Sequence, residues 1–239
     1  TAADASRRFH AMTTLTRAAL LERIASDACL ATLIERVTPR IAGDPGHDVE
    51  HALRVARVGL QLGGAAVDAR EMIAAALLHD VVNLPKNHPD RALASEQSEA
   101  VAVAWLLELG FDEVAARRVG DAVRTHSFSR AETPTSFLGE ALQDADRLEA
   151  LGVIGVFRTI STGSRMGAEY FHSSDPWATA RALDDRRYSV DHFFTKLFGL
   201  ASTMRTEGGR REAMRRADVM RELLEQLGTE LGVPLPAVE

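Results

Sequence analysis

The chain has 239 residues, of which 46% are apolar and 26% charged, the composition of an ordinary globular protein. A formal net charge of −6 argues against a general nucleic-acid binder, and aromatic residues, at 5%, are too sparse for a base-stacking surface. No apolar run approaches the roughly 20 residues of a transmembrane helix, and the first residues lack the apolar core of an export signal. A single cysteine excludes an internal disulfide. We therefore expect a cytoplasmic protein without nucleic-acid or membrane partners.

Apolar residues recur at helical spacing along most of the chain, and turns with Gly or Pro separate the periodic segments. The segments predicted as helical are approximately 14–40, 48–62, 69–82, 95–109, 112–125, 135–150, 153–160, 177–183, 191–204 and 210–231. No segment alternates apolar and polar residues over the length of a strand. The sequence predicts one all-α domain of nine or ten helices. Residues 1–40 are expected to form an extension with an amphipathic helix, packed on a domain of residues 41–239.

An apolar stretch over residues 72–78 predicts a helix that is buried on all sides. This stretch ends in His79 and Asp80, an imidazole beside a carboxylate. Because an unpaired buried charge costs several kcal/mol, the pair needs a partner, and the simplest shared partner is a divalent cation. Pro85 prevents the helix from continuing, since it has no N–H to donate.

Two distant segments offer further metal ligands. His51 lies on the apolar face of one predicted helix, and Asp146 borders the apolar stripe of another. With His79 and Asp80 they form a mixed nitrogen and oxygen set that suits Mn, Fe, Co, Ni or Zn better than Ca. Four protein ligands on an octahedral ion leave about two positions for water and substrate. Taken singly, a histidine such as His51 is more often a core residue than a ligand, and each aspartate is more often the partner of an arginine.

The order of these four residues resembles the signature of the HD superfamily of metal-dependent phosphohydrolases. Further segments resemble the bacterial YedJ/YpgQ-like branch of that superfamily, namely 78–89, 125–129, 183–185, 190–193 and 204–210. The resemblance implies a helical enzyme whose divalent metal ion, most often manganese, is held by His51, His79, Asp80 and Asp146. It also implies a nucleotide substrate. The activity implied is a nucleoside triphosphate pyrophosphohydrolase, which releases a monophosphate and pyrophosphate.

Catalytic roles can be assigned to a few side chains as expectations. Asp146 is expected to be both a metal ligand and the acceptor of a proton from the attacking water. Asn83 is expected to orient that water; it stands three residues after Asp80, where HD nucleotidases that cleave monophosphates place a glutamate. Because an amide cannot act as a general base, this departure weakens a monophosphatase interpretation. His126 is expected to protonate the leaving group or to join a second metal ion.

Basic and polar residues outside the ligand set are expected to contact the substrate. These are Lys86, Arg91, Asp144 and Lys196. Three alternative functions stay open at this point: an esterase acting on another phosphorylated metabolite, a di-iron oxidase, and a nucleotide-binding module without turnover. The sequence leaves the metal open as well, with Mg a further option, and its long first and last helices offer an interface for a homodimer.

Overall fold

The structure is a computed structural model that describes residues 15–42, 46, 48–84, 93–127 and 132–236. These residues form ten α-helices, numbered here in chain order, and no β-strand beyond one isolated bridge. The helices are α1 Arg17–Ser26, α2 Ala28–Val37, α3 Val49–Gly63, α4 Ala69–Leu78, α5 Ala94–Glu108, α6 Glu113–Thr125, α7 Phe137–Leu148, α8 Gly152–Arg165, α9 Asp191–Thr195 and α10 Glu207–Leu231. Short 3₁₀ segments span Gly64–Ala66 and Leu197–Thr203. The prediction of an all-α fold with nine or ten helices is confirmed.

Helix α4 lies at the centre of the fold. Its residues 72–78 are at most 1% exposed, as the apolar run predicts. Helices α2, α3 and α6 pack against α4, and α3 and α6 also pack against α7. The first turn of α3, the last turns of α7 and the residue that follows α4 come together, so three helix ends meet at one place. The fold therefore brings His51, His79 and Asp146 together, although they are far apart in the sequence.

The first predicted helix, residues 14–40, is two helices in the structure. Asp27 interrupts it with an extended backbone (φ −109°, ψ 113°), and its carboxylate accepts hydrogen bonds from the N–H groups of Cys29 and Leu30. An aspartate at this position satisfies the free donors of a helix start, which favours a new helix over continuation. Helix α2 then packs on α4, and α1 packs on α3. The boundary near residue 40 stays a prediction, and residues 1–14 lie outside the described residues.

Two helices predicted in the C-terminal half differ from the structure. Residues 177–183 are not helical, because Asp175 accepts hydrogen bonds from backbone N–H groups four and five residues later and Ala178 has a positive φ of 55°. The predicted helix 191–204 is interrupted at Lys196, whose φ is −138° and ψ −54°, and continues as a 3₁₀ segment. Local side-chain hydrogen bonds to the backbone therefore outweigh apolar spacing in this region.

Helix α8 is longer than the segment predicted over 153–160, and most of it is not buried. The helix runs to Arg165, and only its two glycines 152 and 155 are buried. Val153 and Phe157 are 54% and 68% exposed, since α8 rests on α10 along one side only. Across the described ranges, every helix is too short or too polar to span a bilayer.

Candidate metal centre

The metal ligands predicted from the sequence come together at the meeting point of α3, α4 and α7. His51 stands in the first turn of α3, where its own N–H donates to the capping carboxylate of Asp48 at 2.9 Å. His79 follows the last residue of α4, and Asp146 lies in the last turn of α7. Both imidazoles are 1% exposed, whereas the side chains of Asp80 and Asp146 are 23% and 29% exposed. The histidines therefore form a buried floor, and the carboxylates face the solvent.

The possible ligand atoms lie close to one another. The Nε2 atoms of His51 and His79 are 3.1 Å apart. Oδ1 of Asp146 lies 3.4 Å from His51 Nε2 and 3.9 Å from His79 Nε2, and Oδ2 of Asp80 lies 3.5 Å from His79 Nε2. Two groups of three ligand atoms within 4.8 Å of one another share His79: one adds His51 and Asp146, and the other adds Asp80 and His126.

The hydrogen bonds around the imidazoles fit a cation. Nδ1 of His79 lies 2.8 Å from the carbonyl of Ala76, and Nδ1 of His126 lies 2.5 Å from the carbonyl of Val123. Each Nδ1 must carry a proton to donate to its carbonyl, so in the neutral ring the lone pair is on Nε2. Each of these Nε2 atoms faces a carboxylate oxygen of Asp80, and a lone pair facing a carboxylate needs a proton or a metal ion between them. The donor set is the one expected for a divalent transition metal.

His126 joins the cluster from the end of α6. It is 6% exposed, and its Nε2 lies 3.5 Å from Oδ1 of Asp80. Its ring meets that of His79 edge to face, with centroids 5.0 Å apart. The structure therefore brings His126 to the predicted centre, where it is a potential fifth ligand; its catalytic role stays a prediction.

Three residues that the sequence analysis did not single out lie beside His51 on the side away from His79: Glu149 and Arg158 contact its Nδ1, and Arg54 contacts Glu149. Oε2 of Glu149, a residue only 2% exposed, lies 3.5 Å from His51 Nδ1 and accepts a hydrogen bond from Nε of Arg54 at 2.6 Å. Nη1 of Arg158, on α8, lies 3.1 Å from the same Nδ1. Helical spacing could have identified two of them, because Arg54 follows His51 by three residues and Glu149 follows Asp146 by three. Arg158 comes from another helix and carries no such signal.

Burial and the neighbouring carboxylates shift the pKa values of the cluster in opposite directions. Burial is the largest influence on His79 and lowers its pKa to about 4, so this ring stays neutral at pH 7. Burial also opposes the charged form of His51, but hydrogen bonds to Asp146 and Glu149 outweigh it and raise the pKa of His51 to about 9. Burial also opposes the charged form of Asp146. The hydrogen bond with His51 and the nearby ring of His79 outweigh burial and hold the pKa of Asp146 below its ordinary range. The carboxylates of Asp146 and Glu149, which favour a proton on His51, also favour a divalent cation at its Nε2.

The other predicted site residues are not part of this cluster in the described structure. Asn83 is exposed in the loop that leaves Asp80, and Lys196 is exposed at the break after α9. Asp144 is fully buried and accepts hydrogen bonds from the N–H groups of Arg205 and Thr206 and from the hydroxyl of Thr206, at 2.7–2.8 Å. This carboxylate therefore anchors the start of α10, which is a different role from the predicted substrate contact.

Two predicted phosphate-binding residues, Lys86 and Arg91, lie outside the described residues. The substrate-binding roles of these two, and those of Asn83 and Lys196, therefore stay predictions. No contact among the described residues bears on them.

The helical fold and the cluster of two histidines and two aspartates define a metal-dependent phosphohydrolase of the HD type. Residues 48–151, which contain all four of these residues, match the family model of the HD domain. The chain therefore contains an HD domain and is similar to solved structures described as HD-superfamily hydrolases. The resemblance inferred from the sequence is therefore confirmed.

Several known proteins are similar to this chain over most of its length. YpgQ of Bacillus subtilis is 29% identical over 191 residues, which are 78% of this chain and 85% of YpgQ. The crystal structure of YpgQ in complex with ADP has a TM-score of 0.64 at 27% identity and covers 84% of this chain and 93% of that one. An HD-superfamily hydrolase from Bacillus thuringiensis has a TM-score of 0.65 at 28% identity and covers 89% and 98% of the two chains.

Proposed function

We propose that the protein is a nucleoside triphosphate pyrophosphohydrolase that depends on a divalent transition metal, with manganese as the first candidate. The observation that carries the proposal is the cluster around His79 at the end of the buried helix, where His79 lies close to His51 and Asp146 on one side and to Asp80 and His126 on the other. The complex of the similar protein YpgQ with ADP supports a nucleotide as the substrate class. We infer triphosphates in preference to monophosphates because Asn83, an amide, stands where a monophosphatase needs a carboxylate.

In this proposal four residues bind the cation, and one of them also takes part in proton transfer. A divalent cation at this position supplies Lewis-acid polarisation of a phosphoryl oxygen and lowers the pKa of water. His51 and His79 hold it from the buried side through Nε2. Asp80 and Asp146 hold it from the exposed side, so the substrate approaches past the carboxylates. Asp146 is the residue to which we assign the proton from the attacking water.

His126 is the proposed proton donor to the leaving group. Its Nδ1 proton is held by the carbonyl of Val123, and its Nε2 faces Oδ1 of Asp80. A proton on Nε2 therefore lies between the imidazole and the carboxylate of Asp80. Burial lowers the pKa of His126, but the hydrogen bond and charge of Asp80 outweigh it and raise that pKa above its ordinary value.

The test is an activity screen of purified protein with Mn²⁺ and a panel of nucleoside triphosphates, diphosphates and monophosphates. Release of pyrophosphate from a triphosphate supports the proposal, while release of orthophosphate, or cleavage of phosphodiesters alone, contradicts it. His79→Ala is expected to abolish turnover together with metal content. His172→Gln is the matched control, because His172 contacts Ser174, Asp175 and Tyr188 and takes no part in the cluster. Turnover by a metal-free protein would refute the mechanism.

A further inference from the structure

Arg205 stands at the entry to α10 and is held both at its backbone and at its side chain. Its N–H donates to Oδ1 of Asp144 at 2.8 Å, and its carbonyl accepts from Nη1 of Arg210 at 3.2 Å. Its Nε donates to Oε1 of Gln143 at 3.3 Å. Gln143 and Asp144 are fully buried, whereas Arg205 is exposed. The core of the protein therefore orients an arginine at the surface.

The outer end of the Arg205 guanidinium remains available for a ligand. Within the described ranges, its Nη1 and Nη2 make no hydrogen bond and no ion pair. Two neighbouring carboxylates are engaged elsewhere, since both oxygens of Asp144 accept hydrogen bonds at the start of α10 and Glu207 pairs with Arg211. Because Gln143 holds Nε, the two Nη atoms are left as a planar fork, which matches two oxygens of a phosphate group.

Gln143 also connects Arg205 to the end of α6. Nε2 of Gln143 donates to the carbonyl of Thr125 at 2.9 Å, while Oε1 of the same amide accepts from Arg205. Thr125 is followed by His126, whose ring belongs to the cluster of possible metal ligands. On α7, Gln143 precedes Asp146 by three residues, which places the two on neighbouring turns of one face. Arg205 is therefore held beside the cluster on the side of His126.

We propose that Arg205 binds a phosphate group of the substrate on the His126 side of the cluster, and that Gln143 is the positioning residue that orients it. The inference rests on the proposed function, in which His126 donates a proton to the leaving group. In a pyrophosphohydrolase the leaving group is pyrophosphate, so the phosphates that leave lie on the same side as His126. The ligand of this subsite is the pyrophosphate portion of a nucleoside triphosphate.

The experiment measures binding of inorganic pyrophosphate to the Mn²⁺-loaded protein by calorimetry, together with KM and kcat for a hydrolysed triphosphate. Arg205→Gln is expected to weaken pyrophosphate binding and to raise KM by about 10- to 100-fold, because a hydrogen bond between charged groups is lost. Arg205→Lys is expected to restore part of the binding. Arg205→Gln keeps the backbone N–H that binds Asp144, so its melting temperature and metal content should equal those of the wild type.

The matched control is Arg211→Gln, which removes another exposed arginine from the first turns of α10, one that is paired with Glu207. Pyrophosphate binding and KM should not change in this variant. An equal loss in Arg211→Gln and Arg205→Gln would overturn the subsite, because it would show a general effect of the charge on α10.

The positioning role of Gln143 is tested by a double-mutant cycle. Gln143→Met removes both hydrogen bonds of the buried amide, and it should weaken pyrophosphate binding in the wild type but have little further effect in Arg205→Gln. An equal effect in both backgrounds would overturn the positioning role, because Gln143 would then act independently of Arg205.

The outcomes separate this inference from the proposed function. Unchanged pyrophosphate binding and KM in Arg205→Gln overturn the subsite, while triphosphate hydrolysis by the wild type stands. Loss of metal or a lower melting temperature in that variant, with pyrophosphate binding intact, assigns Arg205 a structural role and also overturns the subsite. If the wild type hydrolyses no triphosphate but its pyrophosphate binding depends on Arg205, the proposed function fails and the subsite stands.

Discussion

The Nε2 atoms of His51 and His79 lie 3.1 Å apart although 28 residues separate them in the chain. Two neutral imidazoles that point their lone pairs at one spot repel each other unless a proton or a cation lies between them. His79 is held in that orientation by the carbonyl of Ala76, and His51 by Glu149. The fold thus holds together two atoms whose closeness is favourable only with a proton or a cation between them.

Metal binding is therefore expected to stabilise the fold. A saturating excess of Mn²⁺, at 100 times the dissociation constant, adds about 2.7 kcal/mol to the free energy of unfolding. For a chain of this size that corresponds to a rise of roughly 5–10 °C in the melting temperature. Thermal unfolding with Mn²⁺ and with a chelator measures the difference. His79→Ala should show no such rise and His172→Gln a normal one; a rise that survives in His79→Ala would place the ion elsewhere.

Glu149 is expected to act on the metal through His51. Glu149→Ala removes the acceptor that keeps the proton on Nδ1, and loss of such a partner weakens metal affinity by about 10- to 100-fold. Glu149→Gln keeps an acceptor oxygen and should lose less. Competition with a chelator of known affinity gives the dissociation constants. Glu113→Gln, a neutral exchange of an exposed glutamate on α6, controls for the lost charge. Equal metal affinity in wild type and Glu149→Ala would rule out this role.

Asp144 is expected to determine stability. Asp144→Ala leaves the buried N–H of Thr206 and the part-buried N–H of Arg205 without their acceptor, at a cost of about 2–5 kcal/mol in the free energy of unfolding. Asp144→Asn keeps one acceptor oxygen and should cost less. Urea denaturation measures the free energy of unfolding of both variants. The predicted substrate contact would instead show as a raised KM in Asp144→Asn with the free energy of unfolding unchanged.

Two neighbouring glycines in the first turn of α10 allow a second test of the contact between Asp144 and α10. A Cβ atom at Gly209 would lie 2.3 Å from Asp144 Oδ2, so Gly209→Ala must displace this carboxylate and destabilise the protein. A Cβ atom at Gly208 meets only the end of the Leu62 side chain at 3.2 Å. Gly208→Ala should therefore be neutral or stabilising, by up to about 1 kcal/mol from helix propensity. Thermal unfolding of the Gly209→Ala and Gly208→Ala variants measures the two effects. Equal melting temperatures in the two variants would contradict the close approach of Gly209 to Asp144.

The cap at Asp27 predicts a pH dependence of stability. Burial raises the pKa of Asp27, but hydrogen bonds from Leu30 and Arg70 outweigh it and hold that pKa below its ordinary value. A lowered folded-state pKa gives stability that is present above the unfolded pKa of about 3.9 and lost as pH falls through the folded pKa. The pair with Arg70 is partly exposed, so Asp27→Asn should cost about 1 kcal/mol or less at neutral pH.

The control for this prediction is the same pair of proteins at lower pH. Denaturant unfolding of wild type and Asp27→Asn should begin to converge below about pH 4 and should agree once the pH is below the lowered folded-state pKa, because the carboxyl is then protonated in both states and resembles the amide. A difference that stays constant with pH would show that the charge of Asp27 contributes nothing. In that case the capping hydrogen bonds alone would account for its stabilising effect.

Short-range patterns in the sequence predicted much of this protein. The apolar run 72–78 predicted the buried central helix, and the order of His51, His79, Asp80 and Asp146 predicted the ligand set and the family. These features follow from hydrophobic spacing and from the scarcity of unpaired charges in a protein interior. Patterns of apolar spacing failed at Asp27 and at 177–183, because there a carboxylate takes the hydrogen bonds that a continuous helix would need.

Only the tertiary structure decided what surrounds the ligands. Glu149 and Arg54 lie one helical turn from a ligand in sequence, but their meeting at His51 depends on how α3 packs against α7. Arg158 reaches His51 across 107 residues, and Asp144, two residues from a ligand, anchors α10 at a distance of 61 residues in sequence. The reason is physical: periodicity shows which face of a helix is buried, whereas the neighbour on that face is chosen by the packing of other helices.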